Sequence, residues 1–300
     1  MNRRDALMAL MSSGFLMHAR PAAADGSNGE LAAYYDRNLA LINGVVYDWT
    51  GDSAPRRARE GVVQVGVGRD AYALLDNGDL VTWSAAPERA ARLRQHVASF
   101  AAGRSGWCAL DHNRTLWNGT GGTEPRRVAD GVIAACIGDG SDYYITQDGA
   151  LFVKGLAHRG QYGDGRLQES RDFVTTAREA VVVRAHTGHA LYLSRNGDVF
   201  GTGGNRYGPL SSHGLGDKAD RWGRIFEGAA AIATGSSHSL AIRADRALWA
   251  WGRGFAVEPR KLLDGVNAAA AGDDVTLALT VDGALWQWDR GHRPRKLVLR

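Results

Sequence analysis

Seven short apolar runs along the chain each follow a polar turn that begins with Asn or Asp. The turns are Asn43-Gly44, Asn77-Gly78, Asn113-Arg114, Asp148-Gly149, Asn196-Gly197, Asp245-Arg246 and Asp282-Gly283, spaced by 34, 36, 35, 48, 49 and 37 residues. A period of this size marks a repeat architecture, in which one supersecondary unit hides its apolar faces only against its neighbours. Asn-Gly between two apolar runs is also the strongest short hairpin signal. The pattern predicts one hairpin unit made seven times and closed into a ring.

The copy from Gly228 to Trp251 shows the unit most clearly. A small-residue strand, Ala231 to Gly235, is followed by a Ser236-Ser237 turn, a second strand from His238 to Ile242 and the Asp245-Arg246 turn. The third strand, Ala247 to Trp251, puts Trp249 and Trp251 on one face, because side chains two apart in a strand point the same way. A short fourth strand begins at Glu258. The small residues of the first strand suit crowding around a central axis. The aromatics of the third (Tyr47, Trp117, Phe152, Phe200, Trp249, Trp286) are expected to fill the wedges between units.

Ala233-Thr234-Gly235-Ser236-Ser237-His238-Ser239-Leu240-Ala241-Ile242 resembles the signature of the regulator-of-chromosome-condensation repeat, and Gly160-Gln161-Tyr162-Gly163-Asp164-Gly165 resembles that family's loop after the third strand. The shorter copies look more like the β-lactamase-inhibitor-protein-II branch of the same superfamily. The resemblance covers roughly Leu31 to Arg300 and implies an all-β, seven-bladed β-propeller of short antiparallel meanders, with repeats near 31–62, 63–97, 98–132, 133–180, 181–229, 230–266 and 267–300. The copies are degenerate: the signature position of His238 holds Ala71, Gly106, Ser141, His189 and Val275 elsewhere. The chain starts on an inner strand and ends on an outer one, Lys296 to Leu299, so no strand is shared between the two ends unless the repeat is phased one strand off.

Composition agrees with many short strands and tight turns: 39 Gly among 300 residues, and enough length to bury a core without disulfides. Arg3-Arg4, an apolar run from Ala6 to Met17 and Ala22-Ala23-Ala24 read in order as a cleavable signal peptide over 1–24. The paired arginines resemble a twin-arginine export signal. A periplasmic or secreted location follows as an expectation, and no other run suggests a membrane span. Export permits Cys108 and Cys136 to pair. The favoured reading is two buried free thiols, since free Cys packs as a small hydrophobe.

In a four-stranded meander, the one-two and three-four loops share one face of the disc. The two long insertions, after Val153 and after Thr202, are both three-four loops, and binding residues concentrate on such loops over rigid scaffolds. The candidate binding set on this face is His158, Gln161, Tyr162, Arg206, Tyr207, His213 and Trp222 from the insertions, with Asp70, Asp142 and Asp273 from the one-two loops. Tyr, Trp and Arg dominate interface hot spots. The competing expectation is that Tyr162 and Tyr207 tuck beneath their own loops, because large loops need internal anchors.

A net charge of +4 permits an anionic partner. Arginines recur in the fourth-strand region of most copies (Arg57, Arg92, Arg127, Arg224, Arg260, Arg293), a belt that reads either as attraction to an anionic surface or as protection of exposed sheet edges. His186 and His189 are the one close His pair and lack a Cys or carboxylate at ligand spacing, so no metal, no cofactor and no catalytic residue are assigned. Gly138 to Asp142 has the acidity of a calcium loop without its later carboxylate and reads better as a turn.

The leading expectation is an exported, monomeric, non-catalytic propeller that binds a protein partner through its loop-rich face. The alternatives are an envelope enzyme acting on a glycan in the central depression, and a β-lactamase-inhibitor-like protein. A third class is nucleotide exchange or chromatin work, which export disfavours.

Overall fold

The computed structural model describes residues 29–299 except 122, 214, 215 and 290–292; the expected signal segment lies outside the described residues. Among the described residues, 28 strands form seven sheets, each of four consecutive strands in meander order. These are the blades of a β-propeller, spanning 29–59, 62–94, 97–129, 132–177, 180–226, 229–263 and 266–297.

Strand alternation divides each blade's side chains between its two neighbours. In blade 4, Tyr143 and Ile145 pack in one apolar cluster with Val183 and Tyr192 of blade 5. Tyr144, between them in sequence, packs in another with Cys108 and Leu110 of blade 3. Among the described residues seven such clusters occur, one for each junction between blades. Half-buried third-strand aromatics lie in these layers, Phe152 stacked on Tyr144 at 4.7 Å and Phe200 on Tyr192 at 4.8 Å. The two thiols are free and buried, Cys108 in the layer between blades 3 and 4 and Cys136 in that between blades 4 and 5.

The hairpins follow the turn pairs. Asn43 and Gly44 both have positive φ, 53° and 80°, in a two-residue turn between Ile42 and Val45, the twist-matched geometry that favours Asn-Gly. The other six turns are one residue longer and end on a residue with positive φ, as in the Leu75 to Asp79 turn with Gly78 at 84°. Arg114 (62°) and Arg246 (65°) fill that position without glycine's freedom.

The ring closes with no shared strand. The inner strand of blade 1, Gly29–Tyr34, packs directly on blade 7. Trp49 Nε1 donates to Gln287 Oε1 across the seam at 3.0 Å, and Arg295 pairs with Asp52 at 3.0 Å. At the ends of the outer strands, Arg57–Glu60, Arg127–Asp130, Arg224–Glu227 and Lys261–Asp264 are exposed ion pairs three residues apart. The basic belt is thus partly neutralised copy by copy, an arrangement that suits charged edges better than a broad positive field.

Candidate functional site

Glycines end the inner strands of five blades: Gly68, Gly103, Gly138, Gly235 and Gly272. A Cβ on Gly103 would lie 2.7 Å from the Ile137 carbonyl oxygen, and one on Gly68 or Gly235 would collide with the next blade's glycine. The backbones converge so closely at the loop-rich mouth of the axis that no side chain fits between them. Blades 1 and 5 carry Tyr34 and His186 at the matching positions.

These two side chains meet across the axis. Their rings stack at 5.1 Å with a 25° interplanar angle, although they come from non-adjacent blades. Carboxylates from two further blades stand beside them: Tyr34 OH donates to Asp139 Oδ1 at 2.7 Å, and His186 Nε2 lies 3.4 Å from Asp273 Oδ1. Thr187 N–H donates to His186 Nδ1 at 2.9 Å, leaving Nε2 directed toward Asp273. Beneath this cap runs an axial cavity of about 210 Å³, lined by the inner strands of all seven blades, with Glu30, Arg184, Thr234 and Asn267 among its polar members.

Burial sets the protonation of this cluster. Desolvation lowers His186 to about 4, opposed by the charge of Asp139, so its ring is neutral near neutrality. Desolvation, then the charges of Asp139 and Asp274, pushes Asp273 up to about 6. The Tyr34 hydroxyl is raised by burial and by its bond to Asp139, so it remains a donor.

The predicted binding residues divide into two groups. Tyr207 is 45 % exposed and has the guanidinium groups of Arg206 and Arg253 at 5.7 and 5.1 Å from its ring centre. Arg253 also approaches Asp274 at 3.7 Å, which ties this patch to the rim of the axial cluster. His158 is exposed on the blade 4 insertion. Asp70 accepts from Ser84 Oγ on blade 2, and Asp142 lies 3.8 Å from Lys154, its carboxyl raised by burial. His213 stands on a short 3-10 turn, Ser211–His213, and its side chain is outside the described residues.

Three expectations are corrected. Tyr162 is fully buried: its OH donates to the Gly155 carbonyl and accepts from Ser170 N–H, both at 2.8 Å. Gln161 is buried too, its Oε1 accepting from Arg159 N–H and its carbonyl oxygen from Tyr143 OH. Trp222 is half-buried, edge-on to Tyr192 at 4.8 Å and packed over Gly163. The physical reason is that the insertions are staples between blades. Blade 4's insertion accepts Thr202 Oγ1 of blade 5 on the Gly160 carbonyl, and blade 5's insertion accepts Ser239 Oγ and Trp251 Nε1 of blade 6 on the Pro209 carbonyl. Such loops need internal anchors, and their aromatics supply them.

The His pair also separates. His186 faces the axis, whereas His189 Nε2 meets Ser239 Oγ of the next blade at 3.0 Å. His238 repeats that clamp onto Thr276 Oγ1 of blade 7 at 2.9 Å. Tyr34, His186 and Tyr35, which is 53 % exposed, were missed as site residues. The signal was present in the register: Tyr34 and His186 stand where five other copies have glycine.

A model of the regulator of chromosome condensation (RCC1) repeat matches residues 229–255. The secretion-regulating guanine nucleotide exchange factors of Bos taurus and Mus musculus are 29% and 30% identical over 151 and 152 residues, 46% of this chain and 32% of their own length. The chain therefore matches about a third of those relatives. Its fold is similar to that of Prp20p from Saccharomyces cerevisiae, a protein with binding properties toward Gsp1p and histones, with a TM-score of 0.67 at 17% identity over 81% of this chain and 80% of that one. It is also similar to human WBSCR16, with a TM-score of 0.61 at 15% identity over 91% and 83% of the two chains.

Proposed function

We propose that this chain, a seven-bladed propeller carrying the regulator of chromosome condensation repeat, is an exported module that binds a protein partner through its loop-rich face. The observation that carries the reading is the exposed apolar and aromatic group on that face: Tyr35, Leu156, Tyr207 and Val257, with Arg206 and Arg253 flanking Tyr207. An aromatic with two arginines beside it presents a large contact at low entropic cost, the composition typical of interface hot spots. The same face rests on seven rigid sheets, so its loops keep a fixed spacing without a partner present.

Affinity capture with the mature chain from an envelope extract tests this reading. Tyr207→Ala combined with Arg253→Ala is expected to abolish recovery of the partner, while Arg127→Ala on an outer strand leaves it intact. Recovery unaffected by the face variant but lost with the rim variant would overturn the choice of face. Export rests on the charged, apolar and small-residue order of 1–24. A reporter active only outside the cytoplasm, fused after that segment, is expected to be active, and a silent reporter would remove export from the reading.

The named activity of the curated relatives supports a second reading, stimulation of guanine nucleotide release from a GTPase, over the segment they share with this chain. Nucleotide-release kinetics on a panel of small GTPases distinguish it, because a partner-binding module without exchange activity leaves the release rate unchanged.

A further inference from the structure

The inner strands carry a second register, two residues before the mouth position. Six blades have a small side chain there: Ala32, Gly66, Ala101, Cys136, Ala233 and Ala270. Blade 5 has Arg184. All seven residues line the axial cavity of about 210 Å³, so they form one layer of its wall. Burial lowers the Arg184 guanidinium from its ordinary value, opposed by Cys136 of blade 4 and by the charge of Glu30 of blade 1. An influence from blade 1, which is not a neighbour of blade 5, places the guanidinium toward the axis.

A guanidinium brings a permanent charge and a rigid fork of N–H donors. Among the described residues Arg184 makes one hydrogen bond, from Nη1 to the Val183 carbonyl at 2.9 Å, and no ion pair. Its Nε and Nη2 are the two nitrogens of the opposite edge. Neither is both sealed and unpartnered, so both keep surface open to the cavity. Glu30 does not close the pair: it makes no ion pair with Arg184, and its Oε2 accepts from Val65 N–H on blade 2 at 3.0 Å. Asp139, at the capped end, accepts from Tyr34 OH. A charge held inside a protein without a contacting counter-charge is costly, and an anion on the Nε–Nη2 edge offsets that cost.

We propose that the axial cavity is a binding site for a small monocarboxylate, gripped by the Nε–Nη2 edge of Arg184 with its apolar tail against the small-residue wall. Two parallel N–H groups match the two oxygens of a carboxylate. One guanidinium with Glu30 across the ring favours a single negative charge, because a dianion would meet that carboxylate without a second cation to balance it. The wall is otherwise rich in apolar groups such as Leu31, Phe100, Ala101 and Ile137, which suit a short hydrocarbon tail. The volume falls below the roughly 300–1,000 Å³ of drug-sized sites, which limits the acid to a small one. The site lies inside the ring, away from exposed Tyr207, and does not depend on the partner-binding reading above.

Titration calorimetry of the full chain in chloride-free buffer tests the site with acetate, isobutyrate and benzoate, and with isobutyramide, which matches isobutyrate in shape without its charge. The Nε–H resonance of Arg184 reports contact at the guanidinium. Saturable one-to-one binding of at least one acid is expected, with movement of that resonance and no binding of isobutyramide. Arg184→Met keeps the length without the charge, and Arg184→Ala installs the residue that four other blades carry. Each is expected to weaken binding about tenfold or more with its circular dichroism unchanged. Absence of saturable binding by all three acids, equal affinity for isobutyramide, or equal affinity in a folded variant overturns the site. If neither variant folds, the parent chain decides: saturable binding that leaves the Arg184 resonance unmoved overturns it, and binding that moves it supports it.

Discussion

Acidification should loosen this ring through the histidines that join its blades. His189 and His238 are buried and clamp hydroxyls on the following blade, Ser239 and Thr276. Burial, aided by mutual repulsion with His186, lowers His189 to about 3 and His238 to about 4 from an ordinary 6.5. A group depressed in the folded state leaves stability intact above its unfolded value and removes it as pH falls toward its folded value. From about pH 7.5 to about pH 5, the unfolded chain takes up nearly one proton per histidine that the folded chain refuses, a loss of about 2 kcal/mol each. His186, lowered to about 4, adds a comparable amount. Asp273 works the other way: raised to about 6, its folded form gains stability as pH falls through that value. It is only half-buried, so screening holds that offset to roughly 1 kcal/mol or less. The net expectation is a loss of about 5 kcal/mol, a large share of the roughly 5–15 kcal/mol typical of folded proteins.

Urea unfolding at the two pH values measures this loss as a shift in midpoint at constant slope. His189→Gln/His238→Gln keeps a hydrogen-bonding side chain at each clamp and removes both titrations. The double variant should lose about 4 kcal/mol less than the parent between the two conditions. A parent whose midpoint is flat over that window, or a variant as pH-sensitive as the parent, would refute the assignment of the acid response to these clamps.

Further outcomes follow from the same structure. Tyr162→Phe strands the Gly155 carbonyl and the Ser170 N–H beneath the blade 4 insertion and should cost about 1–3 kcal/mol in urea unfolding. Gln287→Leu leaves Trp49 Nε1 buried without an acceptor at the seam, with a similar expected cost and earlier cleavage near the seam in limited proteolysis. Arg246→Gly relieves a positive φ of 65° and should stabilise the chain by about 0.5–1 kcal/mol, measured by thermal unfolding. No gain at that position would mean the hairpin relaxes without strain.

Local chemistry and period made much of this architecture legible before any coordinates. The turn pairs, from Asn43-Gly44 to Asp282-Gly283, fall in hairpins because a turn is decided by the φ preferences of two or three adjacent residues. Seven copies imply seven sheets because a unit with two apolar faces needs a neighbour on each side. Burial within the insertions was not legible in this way. Tyr162 and Tyr207 both follow short Gly- or Asn-containing stretches of similar loops, yet one is sealed under its loop and the other stands exposed beside two arginines. Which one is covered depends on the adjacent blade's surface, and no local pattern encodes that surface.

The mouth of the axis shows the division most plainly. The amino-acid sequence alone determined that a seven-unit ring forms and that Tyr34 and His186 break a glycine register in two of its units. Only closure of the ring brought those residues together, with Asp139 and Asp273 beside them. Contacts between blades 1, 4, 5 and 7 follow from the ring's curvature, the sum of many small packing rotations between neighbouring blades, and no single stretch of chain carries that sum.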